Sequence, residues 1–440
     1  MAALQSAPEI LGLATGVAVA DVATGEVWAA VDADRLLNPA SNEKLPTTAA
    51  ALVLLGPEHR FEATVKLAAG GVVVLSGGGD PSLDTAALDA LAAAAADALR
   101  GTAASAVEAD ESPFAGSALP PGFEAKATDA AYRAATGHTA INEGTYRVTL
   151  SPTRVGSPVK VELDPPGSYL VLDNRANTVA GKSRRIGVES KGATGLVVRG
   201  RLGVDATQNP VAVRRVDDPS LVAATAFRAL LKRHGVTVSG PARVRRVPVE
   251  AGAKILATRR SAPLSELVAH VNKTSSNFGA EMLLRAIALT EAQAGRGPAN
   301  WETATAAVLR VATATLGLET GSLEVRNGSG LYDGGRITAR ALARLLTAMH
   351  GQPAFAAFDA SLAVAGVDGT LAGRLLGATT AKHVRAKTGT LDAVSSLAGY
   401  VPTRSGRLLA FVVLMNGKMK SAAGARKVQD RLVTALAALP

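Results

Sequence analysis

Two residues that can act as a nucleophile and its base stand three positions apart, Ser41 and Lys44, in the segment PASNEKL at 39–45. The apolar run at 47–55 predicts a helix with both side chains on one face of its first turn, because residues i and i+3 of a helix point the same way. A serine hydroxyl is a poor nucleophile until a base lies within hydrogen-bond reach, and an unprotonated lysine amine is such a base. The helix N-terminus adds N–H groups and a positive field, which favour an oxyanion. This spacing is common by chance, so its meaning depends on further motifs.

Two such motifs follow in a fixed order, SSN at 275–277 and KTGT at 387–390. The order S-x-x-K, S-x-N, K-T-G is the signature of penicillin-recognising serine acyltransferases, and β-lactamases and penicillin-binding proteins carry close variants. Each motif alone is weak, since an S-x-N triplet is often an ordinary helix cap. The three in order predict one catalytic site for acyl transfer.

The surrounding pattern predicts the elements that must hold these motifs. A β-hairpin is expected at 16–32, and strand-like segments predominate from about 104 to 247. Helical periodicity returns after that region. The later helices are expected at 264–271, 278–294, 301–316, 338–350 and 432–439, with strands at 397–401 and 408–415. The predicted fold class is α/β, of the α+β kind.

The motifs lie far apart along the chain, since the SSN segment begins 234 residues after Ser41. One site needs all three motifs together, so the chain between them must loop out as an insert. We place a strand-rich insert of two small domains at 68–260, and a discontinuous catalytic domain at 1–67 and 261–440. A chain of 440 residues is expected to hold two or three domains.

Composition excludes several other kinds of site. The chain is 48% hydrophobic, 19% charged and 3% aromatic, which indicates a globular protein with a core of Ala, Val and Leu. It contains no cysteine, which excludes disulfides, thiol catalysis and cysteine-ligated metals. The six histidines lack metal-ligand spacing, and the glycine-rich segments 76–81 and 181–183 lack the residues of a phosphate loop. The segment GSG at 328–330 does not have the spacing of a nucleophile elbow.

The formal net charge is +10, and many of the basic residues lie between 182 and 260. They include Arg184, Arg185, Arg214, Arg215, Lys232, Arg233, Arg243, Arg245, Arg246, Arg259 and Arg260. The simplest interpretation is a solvated face, and the alternative is association with an anionic wall or membrane surface. Nucleic acid is not expected as a partner, because no recognised motif or aromatic platform accompanies the charge.

The sequence contains no apolar window long enough to span a bilayer. The first nine residues also show neither the basic start nor the apolar stretch of a secretory signal. A signal could have been removed, the start could be internal, or the protein could act in the cytoplasm. The sequence leaves these alternatives open.

The whole pattern resembles the class C low-molecular-mass penicillin-binding proteins, the D-alanyl-D-alanine carboxypeptidase/endopeptidase family of the penicillin-binding protein 4 type. The long insert, the 112 residues from Ser275 to Lys387, and the segments 38–45, 77–83, 327–331 and 364–371 are similar to those of its members. The resemblance implies a penicilloyl-serine transferase (β-lactamase-like) core, an antiparallel sheet flanked by helices, with inserted strand-rich domains. It also implies a periplasmic or otherwise extracytoplasmic enzyme that acts on peptidoglycan peptides and is covalently inhibited by β-lactams. No cofactor or metal is implied.

Chemistry assigns a first group of side chains to acyl transfer. We expect Ser41 to attack the carbonyl between two terminal D-alanines and Lys44 to accept its proton. Burial and the nearby Lys387 cation should keep Lys44 neutral by lowering its pKa. Ser275 can pass a proton to the leaving amine, and Asn277 can bind the substrate amide or hold Lys44.

A second group is expected to bind substrate along a strand at the edge of the cleft. Lys387, Thr388 and Thr390 can bind the terminal carboxylate, and Gly389 can let a substrate backbone lie close to the strand. The backbone N–H groups of Ser41 and Thr390 are the expected oxyanion hole.

Two departures from the family pattern concern supporting positions. Ser276 stands where aspartate is common, and Pro46 follows Lys44 by two residues, a place that a first helical turn tolerates. The alternatives to a carboxypeptidase/endopeptidase are a serine β-lactamase or esterase on the same core, and a non-catalytic wall-binding homologue. The large insert argues against the first and the intact motifs against the second.

Overall fold

The computed structural model describes residues 7–167, 169–207 and 210–440. Part of the N-terminal segment on which the signal expectation rests therefore lies outside the described residues. Among the residues described, none of the helices combines the length and apolar character that crossing a bilayer requires.

The described residues form both helices and strands, which come in runs along the chain. In chain order the strands are β1 (Ala14–Asp21), β2 (Val27–Val31), β3 (Glu62–Ala68), β4 (Val72–Ser76), β5 (Ala106–Asp110), β6 (Thr145–Ser151), β7 (Lys160–Asp164), β8 (Val171–Val179), β9 (Arg184–Lys191), β10 (Gly195–Gly203), β11 (Val211–Arg215), β12 (Ala242–Arg245), β13 (Lys254–Arg260), β14 (Leu323–Val325), β15 (Gly335–Ile337), β16 (Ala363–Val364), β17 (Arg385–Leu391), β18 (Val394–Pro402) and β19 (Leu408–Asn416). The α-helices are α1 (Lys44–Leu55), α2 (Thr85–Leu99), α3 (Pro219–Arg233), α4 (Leu264–Thr274), α5 (Asn277–Gln293), α6 (Trp301–Arg310), α7 (Ala339–His350), α8 (Phe355–Ser361) and α9 (Ala422–Ala437).

The chain divides into two compact units. The first unit comprises residues 1–60, 120–125 and 262–440, and the second comprises 61–119 and 126–261. The second unit begins at residue 61, since β3 pairs with β4 and β13 within it. The predicted bounds of the insert, 68–260, stay a prediction. The short segment Pro120–Ala125 belongs to the first unit. The division of the insert into two small domains stays a prediction.

The first unit is built on a six-stranded antiparallel sheet in the order β16-β17-β18-β19-β1-β2. The N-terminal hairpin thereby joins strands from the end of the chain. Strand β19 is apolar on both faces, as expected of a central strand, and Phe411 packs with Val433 and Leu436 of α9. Tyr400 of β18 donates its hydroxyl to the carbonyl of Leu346 in α7, 2.8 Å away. This is the predicted antiparallel core flanked by helices.

Within its described residues, the second unit has two hydrophobic cores. A five-stranded mixed sheet, β12-β5-β4-β3-β13, packs Val107 against Leu88 of α2 and Phe227 of α3. Two three-stranded sheets, β8-β10-β9 and β11-β6-β7, share a separate core that includes Val148 and Val198. The strand-rich character of this segment agrees with the sequence pattern.

The elements that the sequence pattern does not predict are mainly exposed or polar. Strand β13 carries three basic residues among seven, so its alternation is weak. Helix α9 begins at Ala422, ten residues before the predicted start. The apolar pattern does not reveal this first part of the helix, because one of its inward positions is occupied by the fully buried Gln429. The side-chain amide of Gln429 donates to Ser395 Oγ at 3.0 Å, so a polar residue takes the place of an apolar one in the pattern.

Candidate active site

Ser41 lies in a tight 3-10 turn, Ala40–Glu43, that leads directly into α1. We expected both Ser41 and Lys44 on the first α-helical turn. Lys44 is the first α-helical residue, and the 3-10 turn places the Ser41 hydroxyl 3.2 Å from the Lys44 amine. Ala40 adopts a left-handed conformation, φ 48°, which costs an L-residue roughly 1–2 kcal/mol and sets the entry to the turn. Pro46 lies in the first turn of α1, where proline is tolerated because the N–H group that it lacks would have no partner within the helix.

Two further segments hold the Lys44 amine in place. Its Nζ lies 2.7 Å from Asn277 Oδ1 and 2.8 Å from the carbonyl oxygen of Ser329. A neutral amine has two N–H donors and one lone pair. The two oxygens can accept the donors, which leaves the lone pair for the hydroxyl proton of Ser41. The contacts therefore match those of an amine that acts as a base.

Burial is the main cause of the altered basicity of Lys44, which is 0% exposed. Desolvation disfavours the ammonium and lowers the pKa of Lys44 to about 7, while the nearby Glu281 and Glu43 carboxyls oppose this change. We expected Lys387 to contribute to the lower pKa of Lys44. Repulsion between the two lysines is mutual, and after burial it is the second cause that holds the pKa of Lys387 well below its usual range. The contribution of Lys387 to the lower pKa of Lys44 stays a prediction.

Lys387 is the second fully buried lysine and is held from β17. Its Nζ lies 2.8 Å from Ser275 Oγ and 2.8 Å from the carbonyl of Thr388. The structure thus brings the S-x-x-K, S-x-N and K-T-G motifs into one place. Ser275 contacts Lys387, and Asn277 contacts Lys44.

The S-x-N motif is both a helix cap and a pair of inward side chains. The middle residue, Ser276, caps α5 by accepting the N–H of Gly279 at 3.0 Å. Ser275 lies between α4 and α5 in the left-handed region, φ 61°, and Asn277 begins α5. A left-handed serine is strained and is common at functional sites. The cap explains why a small polar residue suffices at position 276.

Gly389 allows the strand of the K-T-G motif to approach the turn of the nucleophile. A β carbon at Gly389 would lie 2.2 Å from Ser396 Oγ, 2.6 Å from the Pro39 carbonyl and 3.1 Å from the Ser41 nitrogen. Ser396 Oγ also donates to that Pro39 carbonyl and accepts from the side-chain amide of Asn42. The expected reason for this glycine was room for substrate. That role stays a prediction, and the structure shows a second reason, which is close packing of the strand against the turn that carries Ser41.

The remaining predicted residues lie on the accessible part of the same strand. Thr388 is partly exposed and donates its hydroxyl to Thr370 Oγ1 at 2.8 Å, while Thr390 is exposed. Strand β16 pairs with only the first two residues of β17, Arg385 and Ala386. In the described residues, the edge of β17 from Lys387 onward has no strand partner in that sheet.

Several residues of the site were not predicted from the sequence. The backbone of Ser329 accepts from Lys44, and the N–H groups of Gly328 and Ser329 donate to the buried carboxylate of Glu281. The glycine-rich NGSG segment was the available signal. Asp368 accepts the N–H of Val364 and also pairs with Lys273 at 2.5 Å.

Sequence comparison places the chain in a known family. Residues 1–439 match the D-Ala-D-Ala carboxypeptidase 3 (S13) family. The chain is 36% identical over 403 residues to a D-alanyl-D-alanine carboxypeptidase of Actinomadura sp. (strain R39), covering 87% of this chain and 74% of that protein. It is 30% identical over 399 residues to carboxypeptidase DacB of Mycolicibacterium smegmatis, covering 86% of this chain and 71% of that protein.

The fold is also that of a solved relative. Penicillin-binding protein 4 (dacB) from Haemophilus influenzae superimposes with a TM-score of 0.79 at 22% identity, covering 97% of each chain. The chain therefore belongs to the D-Ala-D-Ala carboxypeptidase 3 (S13) family. It is a serine peptidase of the D-Ala-D-Ala carboxypeptidase type, a cell-wall hydrolase that acts outside the cytoplasm.

We predict that Gly389→Ala lowers the rate of acylation by penicillin roughly 100-fold, because the new methyl group displaces the turn that carries Ser41. The rate is measured with a fluorescent penicillin. Gly373→Ala is the matched control, since a β carbon there meets no atom within 4 Å. A Gly389→Ala protein that labels as fast as the control would contradict this explanation.

Proposed function

We propose that the protein cleaves the terminal D-Ala-D-Ala bond of peptidoglycan stem peptides through an acyl-enzyme on Ser41. The observation that carries this proposal is the contact of Ser41 Oγ with a buried Lys44 amine that Asn277 and Ser329 hold in place. Ser41 Oγ attacks the carbonyl carbon, and its proton passes to Lys44 Nζ. The C–N bond then breaks, and the leaving D-alanine amine takes a proton. Water hydrolyses the ester and restores the serine.

Ser275 is the proposed route of the proton to the leaving group. Its hydroxyl lies 2.8 Å from the Lys387 amine, and Ser275 has a left-handed backbone at the junction of α4 and α5. Asn277 is proposed to hold Lys44 and bind the substrate amide. Two contacts support this division of roles: Ser275 lies against the Lys387 amine, and Asn277 lies against the Lys44 amine.

The unpaired edge of β17 is the proposed binding site for the substrate backbone. A peptide can add to a free strand edge through main-chain hydrogen bonds. Lys387, Thr388 and Thr390 are proposed to bind the terminal carboxylate, and the N–H groups of Ser41 and Thr390 to form the oxyanion hole. Gly389 contributes by letting this strand approach the serine.

The direct test is covalent labelling by a fluorescent penicillin followed by peptide mapping. We expect the label on Ser41, and no label in Ser41→Ala, because the hydroxyl oxygen is the atom acylated. Ser405→Ala, which changes an exposed serine, is the control and should label normally. Normal labelling of Ser41→Ala would remove Ser41 from its proposed role.

The rate of acylation should depend on pH through Lys44. Its pKa is lowered to about 7, so the neutral base is lost as pH falls through that value. We expect the second-order rate to decrease about tenfold per pH unit below this pH, as for one ionisation. Initial rates with a chromogenic β-lactam over a pH series test this. A rate that decreases only near the ordinary lysine pKa would argue against a neutral Lys44.

We also propose that the second unit is the family's two-domain insert and that its sheet β8-β10-β9 associates with an anionic surface. The two separate hydrophobic cores support the first point. For the second, Arg185 and Arg201 stand opposite each other on neighbouring strands, with Lys182 and Arg184 nearby, all exposed. Among the described residues, no ion pair is found for these four. By contrast, seven of the other basic residues in this region are paired: Arg199, Arg214, Arg215, Arg233, Arg245, Arg259 and Arg260. The proposed location is the periplasm or an equivalent compartment outside the cytoplasm.

Binding to purified cell-wall sacculi tests the surface association. We expect retention at low salt that is lost at high salt, because exposed charges are screened over a Debye length of about 8 Å at physiological ionic strength. Replacing Arg185 and Arg201 by Gln should reduce retention, whereas replacing the paired Arg215 by Gln should not. Retention that does not depend on salt would contradict the proposal.

A further inference from the structure

Glu281 is a fully buried glutamate on α5 whose two carboxyl oxygens each accept a backbone hydrogen bond. Oε2 accepts the N–H of Gly328 at 3.0 Å, and Oε1 accepts the N–H of Ser329 at 2.9 Å. Burying a carboxyl group is costly unless its oxygens are hydrogen-bonded. A carboxyl group offers two acceptor oxygens in one plane, whereas a side-chain amide offers one. Two consecutive N–H donors therefore explain why a glutamate occupies this place in the core.

The loop that Glu281 binds has further side-chain partners at its backbone groups. The carbonyl of Gly328 accepts from the Thr47 hydroxyl at 2.8 Å. The N–H of Gly330 donates to Asn327 Oδ1 at 2.9 Å. The loop is buried, so these hydrogen bonds form away from bulk water. Its backbone is therefore held at several successive groups.

The planarity of one peptide group turns these contacts into a direction for the Ser329 carbonyl. A trans peptide group places its C=O and N–H on opposite sides, so this carbonyl points away from the acceptor that holds the N–H of Gly330. The carbonyl oxygen lies 2.8 Å from Lys44 Nζ. Glu281 fixes the two N–H groups that precede the carbonyl. The carbonyl direction is thus set by the hydrogen bonds before and after it.

Two glycines let this loop pack closely against α5 and against the turn that carries Ser41. A β carbon at Gly328 would lie 2.9 Å from the carbonyl oxygen of Ala280, a residue of α5. A β carbon at Gly330, where φ is 72°, would lie 2.7 Å from Cβ of Glu43 in the turn. The loop therefore has little room to move without displacing groups of the site.

From these contacts we propose that Glu281 is a positioning residue that aims the Ser329 carbonyl at the Lys44 amine. The inference rests on the proposed role of Lys44 in acyl transfer. A neutral amine has two N–H donors, which the Ser329 carbonyl and Asn277 accept. The lone pair is then directed at the Ser41 hydroxyl. When the carbonyl turns away, the amine rotates about its Cε–Nζ bond and its lone pair is no longer held toward the serine.

Glu281→Gln tests this role with little change in shape. The glutamine amide has one acceptor oxygen and presents N–H donors where the second oxygen was, so one N–H of the loop loses its partner whether or not the glutamate is ionised. We expect the first-order rate constant of acylation by a chromogenic β-lactam to decrease roughly 30-fold, since a misplacement of about 1 Å costs up to about 100-fold. The dissociation constant of the complex that precedes acylation should change less than about twofold. Stopped-flow measurements at a pH about two units above the Lys44 pKa of about 7 separate the two constants, because the amine is neutral there.

Glu291→Gln is the matched control, because Glu291 is another buried glutamate of α5 and pairs with Arg296 and Arg310. It should lower the melting temperature but keep both constants. Gly328→Ala, which forces the loop away from α5, should reproduce the loss in the first-order constant with Glu281 intact. The proposal is overturned if folded Glu281→Gln acylates as fast as the control. It is also overturned if both constants worsen together in Glu281→Gln, since that would indicate a general structural role.

A second measurement uses the unaltered protein, so it decides even if the variants fold poorly. The amide protons of Gly328 and Ser329 should exchange with deuterium as slowly as those in the buried part of α5, because Glu281 holds them in the core. Rapid exchange at these two amides would overturn the proposal. Exchange does not require acylation, so it separates failure of this proposal from failure of the proposed function.

Discussion

A lysine amine removed from water is the constraint on which the rest of the site depends. Lys44 is fully buried, and a change in its pKa from 10.5 to about 7 corresponds to roughly 5 kcal/mol of unfavourable charge burial. That free energy is a large fraction of the net stability of a typical domain, so the surrounding fold must supply it. What the protein gains is a base that is neutral at the pH where it works. The same burial acts on Lys387, and the two amines lie on either side of the S-x-N motif.

The fold meets this constraint by bringing together segments that are far apart in the chain. The turn that carries Ser41 is fixed to β18 through Ser396 and approached by β17 through Gly389. The α4–α5 junction supplies Ser275 and Asn277, and the loop after Val325 supplies the carbonyl of Ser329. Each segment contributes one or two polar atoms. The central sheet and its helices form the hydrophobic core that holds these segments in position.

The sequence predicted the parts of the site whose chemistry depends on residue type at fixed spacing. The motif residues and the antiparallel core with its helices were accessible in this way, because periodicity and motif order are local signals. The contributions of Ser329, Glu281 and Glu43 could not be predicted from the sequence, because they depend on where a backbone carbonyl or a carboxylate lies after folding. Gly389 shows the difference well: its residue type was noted, but only the approach of Pro39 and Ser41 shows why a side chain is excluded there. Strands with many charged residues, such as β13, were not predicted either, because their alternation of apolar and polar residues is weak.

The central claim is that Lys44 is the neutral base of Ser41, and the most direct measurement of it is the pKa of the Lys44 amine itself. Lysine labelled with ¹³C at the ε carbon allows each amine to be titrated by NMR, and the Lys44 signal can be assigned with Lys44→Arg. We expect this amine to titrate near pH 7. Titration of Lys44 near the ordinary lysine value of about 10.4 would contradict a neutral base.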